Sequence, residues 1–357
     1  MSETVRVGIV GCGGMGRTHA HNAREHGHHV VAGADVVEDV RNAFTDQFDA
    51  AGYANHERMY DAEDPDAVII TTPNKFHEPA AVDALERDIA VLCEKPLAHN
   101  LDSAARIVEA AEASDAFFMV GFHNRFTTPA DVFTTRRDAG EFGDVDHVEA
   151  NYLRRRGIPG LGSWFTNREL SGGGALIDLG VHAIDLALYL ADYPEVVEVS
   201  GVTRAEFGTR DEYADPDGWA GNWDTSEGGF DVDDSVSAFI RCADDTTISL
   251  EVSWAANREP THEFHVWGTD AGAQFELGEE DLTLLSCTTE GTDQYVDTTL
   301  DGEIEPSGHA AEDELFLDAV AAGEDPEINT PEQGLQVQRV IDAIYRSSEE
   351  GGAVRLD

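Results

Sequence analysis

Lysine occurs twice in this chain, at Lys75 and Lys95; the other 21 of its 23 basic residues (23 less 2) are arginine. Lys95 stands in Glu94-Lys95-Pro96, directly after the apolar run Ile89–Cys93. If that run is a strand of a parallel sheet, the three residues lie at its carboxyl edge, where ligands bind in such architectures. A cation there favours the alkoxide form of a bound alcohol; the plain alternative is a surface turn with an ordinary ion pair. Asp178 and His182 stand four apart, and Asp185 follows His182 by three. On an α-helix that spacing shares one face. An imidazole titrates near neutrality and takes a proton from a hydroxyl, and a carboxylate orients it or holds a substrate hydroxyl. An intrahelical salt bridge gives the same spacing. The preceding Gly172-Gly173-Gly174 reads as a loop permissive enough to approach a ligand.

Gly11-Cys12-Gly13-Gly14-Met15-Gly16 fits G-x-G-x-x-G between a strand pattern and a helix pattern. Gly11 allows the tight turn, Gly13 the approach of a pyrophosphate, and Gly16 the packing of helix on strand. The helix start offers free N–H groups to phosphate. Asp35 ends the next strand pattern, 19 residues past Gly16, at the distance where an acid meets ribose hydroxyls and repels a 2′-phosphate. These residues predict a dinucleotide cofactor, NAD in preference to NADP.

These groups need a scaffold. Strands over Val5–Val10, Val30–Ala34, Ala67–Thr72, Ile89–Cys93 and Phe117–Val120 alternate with helices over Gly14–His26, His77–Arg87 and Leu101–Ala113. Apolar strands alternating with helices predict a doubly wound parallel sheet over residues 1–122. A second domain is expected over 123–357. It has strands at Val145–Arg154, Glu195–Thr203, Ser235–Arg241, Thr246–Trp254, Glu263–Gly268 and Gln274–Leu277, with a helix over Gly174–Ala191. Strands without intervening helices predict a large open, mostly antiparallel sheet. Two closing helices, Ala310–Ala322 and Pro331–Ser348, follow, the last expected to pack back on the first domain.

Composition narrows the function. The 71 acidic residues against 23 basic ones give a formal net charge of −48, spread along the chain. Such a surface repels nucleic acid and anionic lipid. It fits an acidic shell suited to salt-saturated cytoplasm, where a Debye length of roughly 3 Å at 1 M screens self-repulsion. The four cysteines, Cys12, Cys93, Cys242 and Cys287, form no C-x-x-C pair, so no metal site is expected and a reducing cytoplasm fits. No signal peptide is evident, and no apolar run approaches the length of a membrane span.

The three motifs in this order resemble the glucose–fructose oxidoreductase / inositol dehydrogenase / MocA (Gfo/Idh/MocA) family over nearly the whole chain. Matching stretches are Gly11–Gly16, Thr72-Pro73-Asn74 with His77, Glu94-Lys95-Pro96, Gly172–Gly174 running into Asp178-x-Gly-x-His182, and the closing Ser347-Ser348 and Gly351. The resemblance implies Lys95 as substrate-orienting, His182 as general acid/base and Asp178 as its companion. It implies Thr72, Pro73, Asn74, His77, Glu94 and Lys95 lining the dinucleotide beside Gly14 and Met15, a cis bond before Pro96, and Asn124 and Arg125 near the nicotinamide. Trp164-Phe165 stands where many members have Trp-Arg, so only Trp164 is expected at the nicotinamide. The family often joins copies through its open sheet, which implies a homo-dimer or homo-tetramer.

Other features are weaker. His26, His28 and His29 read as a solvated helix end, and His19 and His21, two apart, point to different helix faces. Trp219 and Trp223, in the loop Arg210–Phe230, either close over a sugar ring or pack the loop. Arg154-Arg155-Arg156 either meets an anionic or polyhydroxylated substrate, with Arg156 as the contact, or pairs with the acidic shell. The expected function is hydride transfer between NAD(P) and a secondary alcohol of a sugar, sugar derivative or inositol. The rivals are a regulator that binds NAD(P) and sugar without turnover, and a reductase of a C=C or imine bond.

Overall fold

The structure, a computed structural model, describes residues 4–221, 223, 229–302 and 304–356. By contact the chain forms two compact units: residues up to His123 with Pro306–Gln338, and Asn124–Glu305 with Arg339 onward.

The first unit runs β1 (Arg6–Val10), α1 (Gly14–Glu25), β2 (His29–Ala34), α2 (Glu38–Phe48), β3 (Ala51–Tyr53), α3 (His56–Glu63), β4 (Ala67–Ile70), α4 (His77–Leu85), β5 (Ala90–Glu94), α5 (Leu101–Ala113) and β6 (Phe118–Gly121). Its six strands are all parallel, in the order β3-β2-β1-β4-β5-β6. β4 and the first four residues of β5 are buried throughout and apolar on both faces, which writes continuous runs into the sequence; β5 ends on the buried Glu94. The strand order reverses at β1/β4, and there the loops after the strand ends gather. Gly11 N donates to Ala34 O at 2.8 Å, Thr71 N to Val10 O at 2.8 Å and Thr71 Oγ1 to Gly11 O at 2.7 Å, which ties those loops together.

The second unit holds α6 (Thr128–Asp138), β7 (Val145–Leu153), the short α7 (Arg168–Ser171), a π-helical turn at Leu176–Gly180, α8 (Val181–Leu190), β8 (Val196–Arg204), β9 (Ser235–Cys242), β10 (Thr247–Ser253), β11 (Glu263–Gly268), β12 (Gly272–Glu276), β13 (Leu282–Thr288) and β14 (Gln294–Leu300). Then α9 (Gly308–Ala322) belongs to the first unit, α10 (Pro331–Glu350) starts in the first and ends in the second, and β15 (Val354–Arg355) closes the second unit's sheet. That sheet is ordered β14-β13-β12-β11-β7-β10-β9-β8-β15 and is antiparallel except for β7 against β10. The fold is thus a doubly wound parallel domain plus a mostly antiparallel open sheet, as the sequence implies.

Four details depart from the sequence reading. Residues 306–338 join the first unit, because Phe316 and Leu317 of α9 are buried in its core with Ile9, Ala20 and Leu92. α2, β3, α3, α6, β13 and β14 went unread; in α2 the pair Phe44 and Phe48, one turn apart and buried, is the signal under an acidic outer face. The span Arg168–Leu190 does reach the length and apolar composition of a membrane helix, yet 89% of its apolar window is buried inside the protein, so its composition serves the core. It also is no single α-helix, since the π-turn interrupts it.

Candidate active site

Among the helices that follow the strands of the parallel sheet, α1 opens without an acid. α2, α4 and α5 each carry an acid in the first turn, but α1 has none, and its N-cap Gly13 supplies no side chain. The orphan N–H groups of α1 therefore remain for an anion, with no carboxylate to repel it. A Cβ on Gly13 or Gly14 would meet nothing within 4 Å, whereas one on Gly16 would lie 1.9 Å from Gly11 O. Gly16 is thus fixed by packing, whereas the space beside Gly13 and Gly14 is open. Cys12 is buried, and burial with the Asp35 charge pushes its thiol up to about 12, which makes it inert. Asp35 accepts Cys12 N at 2.9 Å and Val37 N at 2.8 Å, so its carboxylate braces the glycine loop. The residues present fit a dinucleotide.

Further along the same sheet edge, the Lys95–Pro96 bond is cis. His77, expected to line the dinucleotide, is buried with Nδ1 at 2.9 Å from Pro96 O and Nε2 at 2.8 Å from Thr72 O. It braces the two loops. Thr72 Oγ1 is buried without a partner among the described residues. Glu94 is 7% exposed and accepts Lys95 N at 3.1 Å and His19 Nε2 at 3.1 Å. Burial alone would raise its pKa, but the His19 hydrogen bond and charge hold it well below the usual carboxylate range.

In the second unit, Asp178 lies in the π-turn and His182 in the first turn of α8. The i, i+4 pair is therefore presented on a turn wider than an α-helix; such turns recur at functional sites. Asp178 Oδ2 accepts Nε1 of the fully buried Trp254 at 2.9 Å, which fixes the carboxylate. The start of the turn is clamped by Asp233, whose carboxylate accepts Gly174 N at 2.9 Å, Leu176 N at 2.8 Å and the Tyr345 hydroxyl at 2.7 Å. Cβ atoms on Gly173 and Gly174 would lie 1.9 Å from Tyr345 Oη and 1.8 Å from Asp233 O. These two glycines are demanded by packing, not by the approach of a ligand as the sequence suggested.

Arg125 and Arg156, expected at the nicotinamide and the substrate, are both engaged within the protein. Arg125 is 2% exposed, with Nε at 3.1 Å and Nη2 at 2.6 Å from the Asp185 carboxylate and Nη2 at 2.5 Å from Tyr193 Oη. A guanidinium so paired cannot leave its carboxylate without stranding a buried charge. Asp185, read as continuing the stripe of Asp178 and His182, is used in this pair. Arg156 donates to Ala256 O at 3.2 Å and Asn257 Oδ1 at 2.8 Å and lies over Phe207 at 4.8 Å, so it braces a loop. Asn124 Nδ2 is buried without a partner among the described residues, and Trp164 stacks on Phe165 with centroids 3.8 Å apart. Trp219 lies under Arg154 at 4.6 Å, and Trp223 Nε1 donates to Arg210 O at 3.1 Å; Asn222 and 224–228 of their loop lie outside the described residues. Sequence reasoning missed Asp233, Tyr345, Trp254, Asp313 and His309, which act on the site residues from distant parts of the chain.

A 3-2-1-4-5-6 sheet with an acid-free phosphate-binding helix start, joined in one chain to an Asp–His turn, defines a dinucleotide-dependent oxidoreductase. The chain belongs to the Gfo/Idh/MocA family: the oxidoreductase-family model with the NAD-binding Rossmann fold matches residues 5–122, and the family's C-terminal domain matches residues 135–274. It is 30% identical over 99% of its length to D-glucoside 3-dehydrogenase of Escherichia coli, of which it covers 98%. It is 29% identical over 98% of its length to D-xylose 1-dehydrogenase (NADP(+)) 2 of Haloferax volcanii, of which it covers 99%. A levoglucosan dehydrogenase structure in complex with NADH and levoglucosan superposes with a TM-score of 0.85 over 99% of both chains, at 22% identity.

Proposed function

We propose that this enzyme is an NAD(P)-dependent dehydrogenase that oxidises a secondary hydroxyl of a sugar, sugar derivative or cyclitol, with three side chains acting on that hydroxyl. His182 takes the hydroxyl proton, Asp178 orients the imidazole and the hydroxyl, and Lys95 polarises the oxygen. Nicotinamide, when bound, accepts the hydride from the same carbon. The carrying observation is the Trp254-anchored carboxylate of Asp178 on the π-turn that leads into His182. The test is reduction of NAD⁺ and NADP⁺ in molar KCl across inositols, aldoses, glucosides, sugar acids and anhydrosugars. Binding of NADH without turnover of any of them would favour a regulator instead.

NAD is the preferred cofactor in this reading, because the Asp35 carboxylate meets a 2′-phosphate with like charge. Arg41 already donates Nη1 to Asp35 O at 2.6 Å, so a guanidinium stands ready beside that position. Asp35→Ser with Val36→Arg is expected to shift preference toward NADP⁺. A wild type with the higher kcat/KM for NADP⁺ would overturn the assignment.

The acidic shell is read as an adaptation to molar salt in a reducing cytoplasm. The formal charge of −48 predicts a melting temperature that rises from low to molar KCl, as the Debye length falls from roughly 30 Å at 0.01 M to 3 Å at 1 M. A melting temperature that is flat or falls across that range ends this reading. Assembly is read from the second unit's sheet, where Val202, Phe239, Trp267 and Leu285 are exposed. An apolar face of this kind fits an interface between copies; a monomer in sedimentation would contradict it.

A further inference from the structure

His19, on α1 beyond the glycine loop, is the centre of a buried polar cluster in the first unit. Its ring is 0% exposed. Nδ1 lies 2.7 Å from Asp313 Oδ1 on α9 and Nε2 lies 3.1 Å from Glu94 Oε1 at the end of β5. Both partners are carboxylates, which accept only, so both ring nitrogens must carry hydrogen and the ring is an imidazolium. Burial alone would lower the His19 pKa, but the Asp313 charge and the hydrogen bonds to Asp313 and Glu94 raise it well above the usual value. Asn22 Nδ2 donates to the second Asp313 oxygen at 2.7 Å and fixes that carboxylate in turn.

The other titratable and charged groups facing the cluster are few. Cys93 and Lys95 flank Glu94 on β5 and its turn, His309 lies on α9 and His123 follows β6. His309 Nε2 is 3.7 Å from Glu94 Oε1, and its ring stacks on His123 with centroids 3.7 Å apart. Burial, with the neighbouring cations, pushes His123 down to about 3 and lowers His309, while burial raises the Cys93 thiol. His19 and Lys95 are therefore the two cations of the cluster, and Glu94 is the carboxylate between them in the chain of contacts.

We propose that His19 and Asp313 are positioning residues for the dehydrogenase reaction. Asp313 holds the His19 imidazolium, and His19 fixes Glu94 as an aimed carboxylate that accepts the backbone N–H of Lys95 and so orients the Lys95 turn. The inference rests on the reading that Lys95 acts on the substrate. It assigns α9, which joins the first unit from far along the chain, a function in the active site rather than in packing alone.

The test uses full-length enzyme with whichever probe turns over in the screen above, among methyl glucoside, D-xylose, levoglucosan and myo-inositol. Asp313→Asn keeps the shape of the cluster and removes the charge that sustains the imidazolium. Its kcat is expected to fall by about tenfold or more, the scale seen when a partner that orients a site residue is removed, with the sugar KM little changed. Its kcat–pH profile is expected to gain an ionisation near neutrality, activity returning toward about pH 6 as His19 is reprotonated. A folded Asp313→Asn and a folded His19→Gln that both keep wild-type kcat and wild-type pH profile overturn the proposal. If neither variant folds, ¹⁵N NMR of the wild-type imidazole decides: two protonated ring nitrogens at neutral pH support it, and a neutral tautomer sinks it. Lys95→Met is the control. Full turnover in Lys95→Met fails the underlying reading and the proposal with it, whereas a dead Lys95→Met beside a fully active Asp313→Asn fails the proposal alone.

Discussion

Replacing His182 by alanine is expected to lower turnover by about 10²–10⁴-fold, the usual range for loss of a general acid–base group, while NADH still binds. The expectation rests on placement. His182 is 7% exposed in the first turn of α8, next to a π-turn whose Asp178 is held by Trp254 at 2.9 Å. The phosphate-binding helix start and Asp35 belong to the other unit, so the substitution leaves the dinucleotide contacts intact. Lys95→Met is expected to act in the same direction, with the loss in kcat rather than in cofactor affinity. NADH fluorescence titration beside steady-state kinetics separates the two effects. Near-wild-type kcat in either variant, on a confirmed substrate, removes that residue from the mechanism.

Gly174→Ala is expected to damage stability and activity together. The added Cβ would lie 1.8 Å from Asp233 O and 2.8 Å from its carbonyl carbon. These are backbone atoms, so no rotamer change relieves the overlap. The same short stretch carries Gly174 N to Asp233 Oδ1 at 2.9 Å and Ala175 N to Asp233 O at 2.9 Å, so moving apart also breaks hydrogen bonds in a buried site. Overpacking of this kind costs about 3 kcal/mol, and at this chain length a loss of that size lowers the melting temperature by roughly 4 °C. Turnover falls further, because the π-turn that presents Asp178 starts two residues later. Thermal melts in molar KCl check the first part, and a melting temperature within a degree or so of wild type would show that the loop yields where the structure says it cannot.

The unit of the chain that binds the dinucleotide was legible because its signals are local. A strand buried on both faces must be apolar throughout, and a phosphate turn must be glycine where Gly11 takes φ +98° and Gly16 packs on Gly11 O. Asp35, Lys95, Asp178 and His182 stand at fixed short offsets from those signals, so residue type and spacing alone marked them. The expectation for Gly172–Gly174 had the right place and the wrong reason, since openness to a ligand and tight packing select the same residue.

Tertiary structure alone decided what the charged residues do. Arg125 was expected from the resemblance and Asp185 from its place on the stripe of Asp178 and His182; 60 residues apart, they close an ion pair on each other. His19 and Asp313 are separated by 294 residues, and Asp233 and Tyr345 by 112. No local pattern encodes such a pair. A buried carboxylate or imidazole takes the partner that folding leaves beside it once water is excluded, and the desolvation of one is tolerable only because the other arrives. The sequence marked the candidates for chemistry, Lys95 after a strand and Asp178 with His182 on one helical stretch. The folded chain determined which charges are held fixed, and by what.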